Sequence, residues 1–261
     1  GIDQDPIALT IAQKRLEGWK DKTIFTLGNF SDLDSLLDEQ GVSKINGMVL
    51  DLGVSSMQLN QPERGFSFTK EGPLDMRMDP SGDLTAADIV NSWSEKELGR
   101  VFRYYGEEKQ WKAAARAVVR AREKKPFETT LELVRILHPV LKTRRRRDIH
   151  PLTLVFQGLR ICVNRELESI KEVIPKAIDR LQEGGRLAII SFHSLEDRIV
   201  KNAFRYAAGD KENTSGIGGV FLTKEPAVRI LTRKPVIPNG DELERNPRSR
   251  SAKLRVVEKL T

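Results

Sequence analysis

The chain has 261 residues, 39% of them hydrophobic and 31% charged, with a formal net charge of +7 and a pI near 9.5. That length can bury a sizeable core in one large domain or two, and no apolar run approaches the ~20 residues that span a bilayer. A lone cysteine, Cys162, excludes an internal disulfide and a cysteine-rich zinc site, and the basic balance points to an anionic partner, nucleic acid first.

Gly1-Ile2-Asp3 reads as the end of a strand, with Asp5 and Pro6 as N-cap and first position of a helix whose face is Ala8, Ile11, Ala12, Arg15 and Leu16. An acid such as Asp3, at a strand end just before a helix, is where nucleotide-binding sheets grip ribose hydroxyls, although a simple cap would look the same. Residues 23–27 form a second short strand, Phe30 follows a turn, and residues 31–40 form a short helix. Met48, Val49 and Leu50 form a buried strand that ends at Asp51 and Gly53, again an acid at the carboxyl end of a strand. Residues 54–79 are a long charged loop in which Phe66, Phe68, Leu74, Met76 and Met78 alternate with Arg64, Asp75, Arg77 and Asp79. A loop of that kind can pack one side on the body and turn the other toward a ligand.

From residue 84 the strand signal disappears. Leu98, Val101, Phe102 and Tyr105, then Trp111, Ala115, Val118 and Val119, recur at helical spacing, and Thr129 with Glu132 forms a capping box. The expected organisation is a sheet domain over residues 1–83, a helical insertion over 84–150, and a return to the sheet over 151–261. The insertion offers Arg100, Arg103, Lys109, Lys112, Arg116, Arg120, Arg122, Lys124 and Lys125 as exposed cations suited to a phosphate backbone. Arg144, Arg145, Arg146 and Arg147 form the strongest charge run. A long helix over 152–170 follows, with Pro175 expected to kink or restart it. Residues 186–192 form another buried strand, with His193 in the turn beyond it and a helix over 195–207. Val228–Leu231 and Leu254–Val257 are the last strands, separated by a basic loop with Arg248 and Arg250. His138, His150 and His193 lie far apart, so no metal spacing is visible.

Several stretches together resemble one family. DLGVSSMQL, ERGFSF and GPLDMRMD, then YGEEK at 105–109, FQGLRICVNRELE at 156–168, SFHSLEDRIVK at 191–201 and NPRSRSAKLR at 246–255, are similar to the RsmH (MraW) family, the cytosine-N4 methyltransferases of small-subunit ribosomal RNA. The resemblance implies an α/β fold, a class I (Rossmann-like) methyltransferase sheet with an inserted helical subdomain. It implies S-adenosyl-L-methionine as cofactor, held by Asp3, Phe30, Asp51 and Gln58, and small-subunit ribosomal RNA or the small ribosomal subunit as partner. The family begins with a strand and a Gly-rich loop that precede Gly1 here, so the chain is expected to be an N-terminally truncated piece. The likeness leans toward plant chloroplast versions over bacterial ones.

Cytosine N4 is a weak nucleophile, because its lone pair is delocalised into the ring. Hydrogen-bond acceptors that hold the amine and direct the lone pair preorganise the site electrostatically. Many amino-methyltransferases place an Asp/Asn/Ser-Pro-Pro-aromatic motif for this after the fourth strand, where this chain has Asp51 to Ser56 instead. The candidates here are Asp51 and Ser55, with His193 as a third that could equally be structural. Two other readings compete: a nicotinamide-dependent oxidoreductase on a similar sheet, and a non-catalytic RNA-binding or ribosome-assembly protein that keeps the fold.

Overall fold

The computed structural model describes residues 1–141, 151–213 and 221–260. Its chain divides into two compact units, residues 1–53 with 167–261, and residues 54–166.

The first unit opens with β1 (Ile2–Asp3), which pairs in parallel with β2 (Thr26–Leu27), placing Asp3 opposite Leu27. Between them runs α1 (Pro6–Arg15), capped by the buried Asp5, whose carboxylate accepts from the Ile7 amide at 3.0 Å. The face expected to bury Ile11 and Leu16 stands open instead: both are exposed, and Leu9 is the buried residue of the helix. The second strand is also shorter than expected, Thr26–Leu27 in place of 23–27, and 3-10 turns over Glu17–Lys22 precede it. After α2 (Leu33–Glu39) comes β3 (Ile45–Asp51).

The chain then enters the second unit, which contains α3 (Ser56–Asn60), α4 (Ala86–Ser92), α5 (Glu95–Arg100), a π-helical turn over Val101–Tyr105, α6 (Trp111–Arg122), α7 (Thr130–Leu137) and α8 (Pro151–Asn164). Among its described residues there is no strand, only an isolated bridge between Pro73 and Thr129. The unit begins well before residue 84 because the loop ahead of α4 is part of its core. Phe66, Leu74, Met76 and Met78 are buried among Ile89, Phe102, Leu133 and Leu159. Asn164 fixes this loop, donating to the Met76 carbonyl and accepting from the Met78 amide, while Arg64 donates to the carbonyls of Arg77 and Met78. Asp75 and Arg77, facing outward in the sequence pattern, bond to each other. Arg122, expected to be exposed, is half-buried and donates to the Val90 and Trp93 carbonyls at 2.8 and 2.7 Å, closing the end of α4.

The expected helix over 152–170 breaks at Arg165, which has a left-handed φ of 49°, and restarts as α9 (Glu166–Arg180). Pro175 lies inside α9 and ends nothing. It is on the exposed side, so the carbonyl deprived of its donor is not buried. In the first unit, β4 (Leu181–Ser191) pairs in parallel with β3, setting Asp51 opposite Ile190. Then come α10 (Ser194–Ala207), a β5 (Lys211–Asn213) and β6 (Phe221–Thr223) hairpin, β7 (Val228–Ile230), α11 (Gly240–Arg245) and β8 (Lys253–Lys259). The main sheet has the order β3-β4-β8-β7, with β8 antiparallel to both neighbours. Leu187, Ile189 and Val257 are fully buried in it. The outer edge of β3 carries no strand among the described residues, and Val49 on β3 is 70% exposed.

One ion pair ties α10 to the sheet. Arg255 on β8 donates to both oxygens of Asp197, at 2.7 and 3.2 Å, with both side chains largely buried. The Arg255 hydrogen bonds hold the Asp197 carboxyl below the ordinary carboxylate range. Its stabilisation is therefore complete above the unfolded pKa and is lost as pH falls through the lower folded value. Asp197→Ala strands the Arg255 charge and is expected to cost about 3 kcal/mol in urea unfolding at pH 7. The gap to wild type should narrow below about pH 4.

Candidate active site

The carboxyl ends of β3 and β4 lie together because the two strands are parallel and in register, and the Leu52 amide extends the ladder to the Ile190 carbonyl at 3.0 Å. Gly53 then turns the chain at a φ of 87°, a left-handed conformation that suits glycine, next to the Phe192 ring and Glu196. Asp51 is thus set beside the turn that leads into α10. It reaches solvent, yet partial burial of its carboxyl, and after it the negative charge of Glu196, raise its pKa above the ordinary value.

Glu196 is fully buried. Its Oε2 accepts from the amides of Phe192 and His193 at 2.7 and 3.2 Å, and its Oε1 lies 3.1 Å from His193 Nε2. His193 is the N-cap of α10, with Nδ1 accepting from the Glu196 amide at 3.4 Å. The bond to Nδ1 fixes the orientation of the imidazole at the start of α10. Glu196 was not among the residues singled out from sequence. The signal was present: a histidine followed three residues later by a glutamate, just past a strand, has the spacing of a capping box.

Asp3, at the carboxyl end of β1, accepts from the Asp5 amide at 2.8 Å. Partial burial raises its carboxyl, and the Asp5 and Gln4 amides partly offset that. Phe30 is half-buried in a 3-10 turn capped by Asn29, whose side chain also bonds Gln4 at 3.1 Å. The β1 end and the Phe30 turn are therefore stitched together. In the helical unit, Ser55 and Gln58 form a reciprocal capping box on α3, at 3.1 and 3.0 Å, with Gln58 buried. Their side chains hold that turn in place. Arg248 and Arg250 are exposed on a 3-10 turn over Pro247–Ser251. Arg144 to Arg147 lie outside the described residues.

β1 and β3, in two separate parallel pairings, each carry an acid at the carboxyl end, the kind of strand end at which α/β folds bind nucleotide-type ligands. The model of the MraW methylase family matches residues 1–260, and the chain belongs to that family. It is 58% identical over 261 residues to ribosomal RNA small subunit methyltransferase H of Protochlamydia amoebophila (strain UWE25), covering all of this chain and 83% of that protein. The same-named proteins of Pelobacter propionicus (strain DSM 2379 / NBRC 103807 / OttBd1) and Carboxydothermus hydrogenoformans (strain ATCC BAA-161 / DSM 6008 / Z-2901) are 50% and 46% identical over the whole chain, with 83% and 84% of their lengths covered. All three are bacterial, so the lean toward chloroplast versions finds no support in them. Among the described residues no helix is long and apolar enough to cross a membrane.

The raised carboxyl of Asp51 gives a direct check on this geometry. Glu196→Gln keeps the shape of the cap but removes the charge. Carbon-detected NMR titration should then find the Asp51 pKa lowered toward, but not to, the ordinary value, because burial persists.

Proposed function

We propose that this chain transfers a methyl group from S-adenosyl-L-methionine to the exocyclic N4 of a cytosine in the decoding region of small-subunit ribosomal RNA, in the bacterial cytoplasm. Membership of the MraW methylase family carries the reading, together with the names of the relatives. The residues present suit such a cofactor: Asp3 offers a carboxylate at a strand end to ribose hydroxyls, Phe30 an apolar ring, and Asp51 a second carboxylate. When bound, the cofactor supplies an electrophilic methyl on a sulfonium.

The chain's own part is positional. Asp51 accepts a hydrogen bond from the target amine and directs its lone pair. With its raised pKa it is also the group suited to take up the amine proton. His193, held through Nδ1 by the Glu196 amide, presents its ring at the neighbouring strand end. Ser55 and Gln58 order the turn that follows Asp51 and Gly53. The target base must leave its stack to be reached, and the helical unit of residues 54–166, Arg144 to Arg147, Arg248 and Arg250 supply cations for the surrounding RNA.

The test is methyl incorporation into small ribosomal subunits, followed by nuclease digestion and mass spectrometry of the nucleosides. N4-methylcytosine is the expected product; a methyl on another base sinks the assignment, and saturable RNA binding without incorporation supports the non-catalytic reading. Asp51→Ala should lower kcat at least a hundredfold, while Asp3→Ala should chiefly raise KM for the methyl donor. Replacing Arg144 to Arg147 with Ala should weaken RNA binding and flatten its log–log salt dependence by ~0.7–0.9 for each phosphate no longer neutralised.

A further inference from the structure

The helical unit carries an aromatic and cationic arrangement of its own, separate from the acids at the strand ends. The turn between α5 and α6 is π-helical, a geometry often found at functional sites. It is braced against α8 backbone to backbone. A Cβ on Gly106 would lie 2.5 Å from the Leu154 carbonyl, and one on Gly158 would lie 3.0 Å from both the Gly106 amide and the Val101 carbonyl. Gln157 adds a hydrogen bond to the Tyr105 carbonyl at 3.1 Å. The inner residues Val101 and Phe102 are buried, so the turn displays Arg103 and Tyr104 outward. Tyr104 is 58% exposed, an unusual place for a large aromatic held on so rigid a turn.

Arg103 lies between two rings. Its guanidinium carbon is 5.2 Å from the centre of Tyr104 and 5.4 Å from that of Trp111, within cation–π range. Trp111 in turn packs on Gly99, where a Cβ would come within 2.9 Å of the indole, and Lys112 Nζ lies 5.3 Å from the same ring. From this cluster Lys112, Arg116 and Arg120 recur every four residues along one stripe of α6, all exposed, over ~12 Å. Of these, Arg116 faces an acid, Glu95, at 3.6 Å and largely in solvent. The stripe leads to an open groove of 660 Å³ lined by Ala117, Ala121 and Ile136, with Arg120, Lys124 and Arg135 around it. Glu123 and Glu132 line it as well, the latter paired with Lys125, and the cations of the groove outnumber its acids.

An exposed ring stacked on an arginine, followed by evenly spaced cations and an apolar recess, is what a single strand of nucleic acid requires: a face for a base, partners for successive phosphates, and a pocket for a further base. A duplex, whose bases are already stacked, has no use for the ring or the recess. We infer that the α6 face binds a single-stranded segment of the RNA substrate, one base stacking on Tyr104 and Arg103, the backbone following Lys112, Arg116 and Arg120, and a later base entering the Ala117–Ile136 groove. This rests on the reading that the substrate is RNA, and adds that it is unpaired where it meets this face.

The experiment is fluorescence anisotropy with a labelled ten-nucleotide oligoadenylate and a blunt RNA duplex of equal length, without any methyl donor. Tyr104→Ala should weaken the single strand roughly tenfold and leave the duplex unchanged, while Tyr104→Phe should stay within about twofold of wild type. Lys112, Arg116 and Arg120 replaced together by Ala should reduce the single-strand salt slope by about 2. Thermal melts check that the variants fold, as the exposure of these side chains predicts. Equal affinity of wild type and Tyr104→Ala for the oligoadenylate overturns the inference. So does an equal loss on the duplex, or displacement of the RNA by an acidic peptide equally well from both proteins. Tyr104-dependent binding without methyl incorporation into ribosomal subunits would instead leave this inference standing and remove the proposed reaction.

Discussion

The parallel pairing of β3 with β4 is the constraint on which the candidate site depends. A parallel pair cannot be closed by a tight turn, and here the crossover is long enough to contain the helical unit and α9. The register sets Asp51 opposite Ile190, so the two chain segments leave the sheet at the same level. Gly53 allows the first segment to turn at a positive φ, and the second enters α10 through a cap made by His193 and Glu196. A slip of one residue would reverse the facing of Asp51 and bring Leu50, now buried, to the site. The chemistry proposed for Asp51 is thus a consequence of strand register.

The electrostatics of the site follow from the same packing. A fully buried carboxylate is costly unless it is hydrogen-bonded, and Glu196 offsets that cost with the Phe192 and His193 amides, both on Oε2. Its charge is what reaches Asp51 after partial burial has already disfavoured ionisation there. The cap that starts α10 therefore also tunes the neighbouring strand end, and the Asp197–Arg255 pair one residue on fastens that helix to β8. Structural and chemical roles are shared among adjacent residues of one short motif.

What could be read from the chain without its structure divides along physical lines. Several strand ends and helix starts were legible, because Asp5, Thr129 and the acids ending β1 and β3 act through local bonds at fixed spacing, whereas the start of α3 at Ser55 lay within a stretch that reads as loop. The spacing of His193 and Glu196 carried the cap but not the complete burial of Glu196 or its effect on Asp51, which depend on how the chain packs. Pro175 does not restart the helix, and its place on the exposed side of α9 leaves the carbonyl it deprives of a donor open to solvent. Arg165 gave no warning, since a left-handed arginine has no sequence signature. Arg122 counted as one more surface cation until its guanidinium was found bonded to two carbonyls at the end of α4. The extent of the helical unit was hidden because Leu74, Met76 and Met78, in a segment without periodicity, bury themselves in its core.

That last feature bears on why the helical unit can serve as a recognition surface at all. A three-turn amphipathic helix such as α6 gains little order from its own propensity. It is fixed here by Ala114, Ala115 and Val118 packed into a core that also includes Met76 and Phe102. The π-turn is held by glycines on both sides of its contact with α8, so the side chains facing outward from it lose little further freedom on meeting a ligand. A surface built in this way can present widely spaced groups, an aromatic ring at one end and an apolar recess at the other, to a flexible partner that must itself be ordered. Most of the entropy lost on binding would then fall on the nucleic acid, which favours segments that are already unpaired.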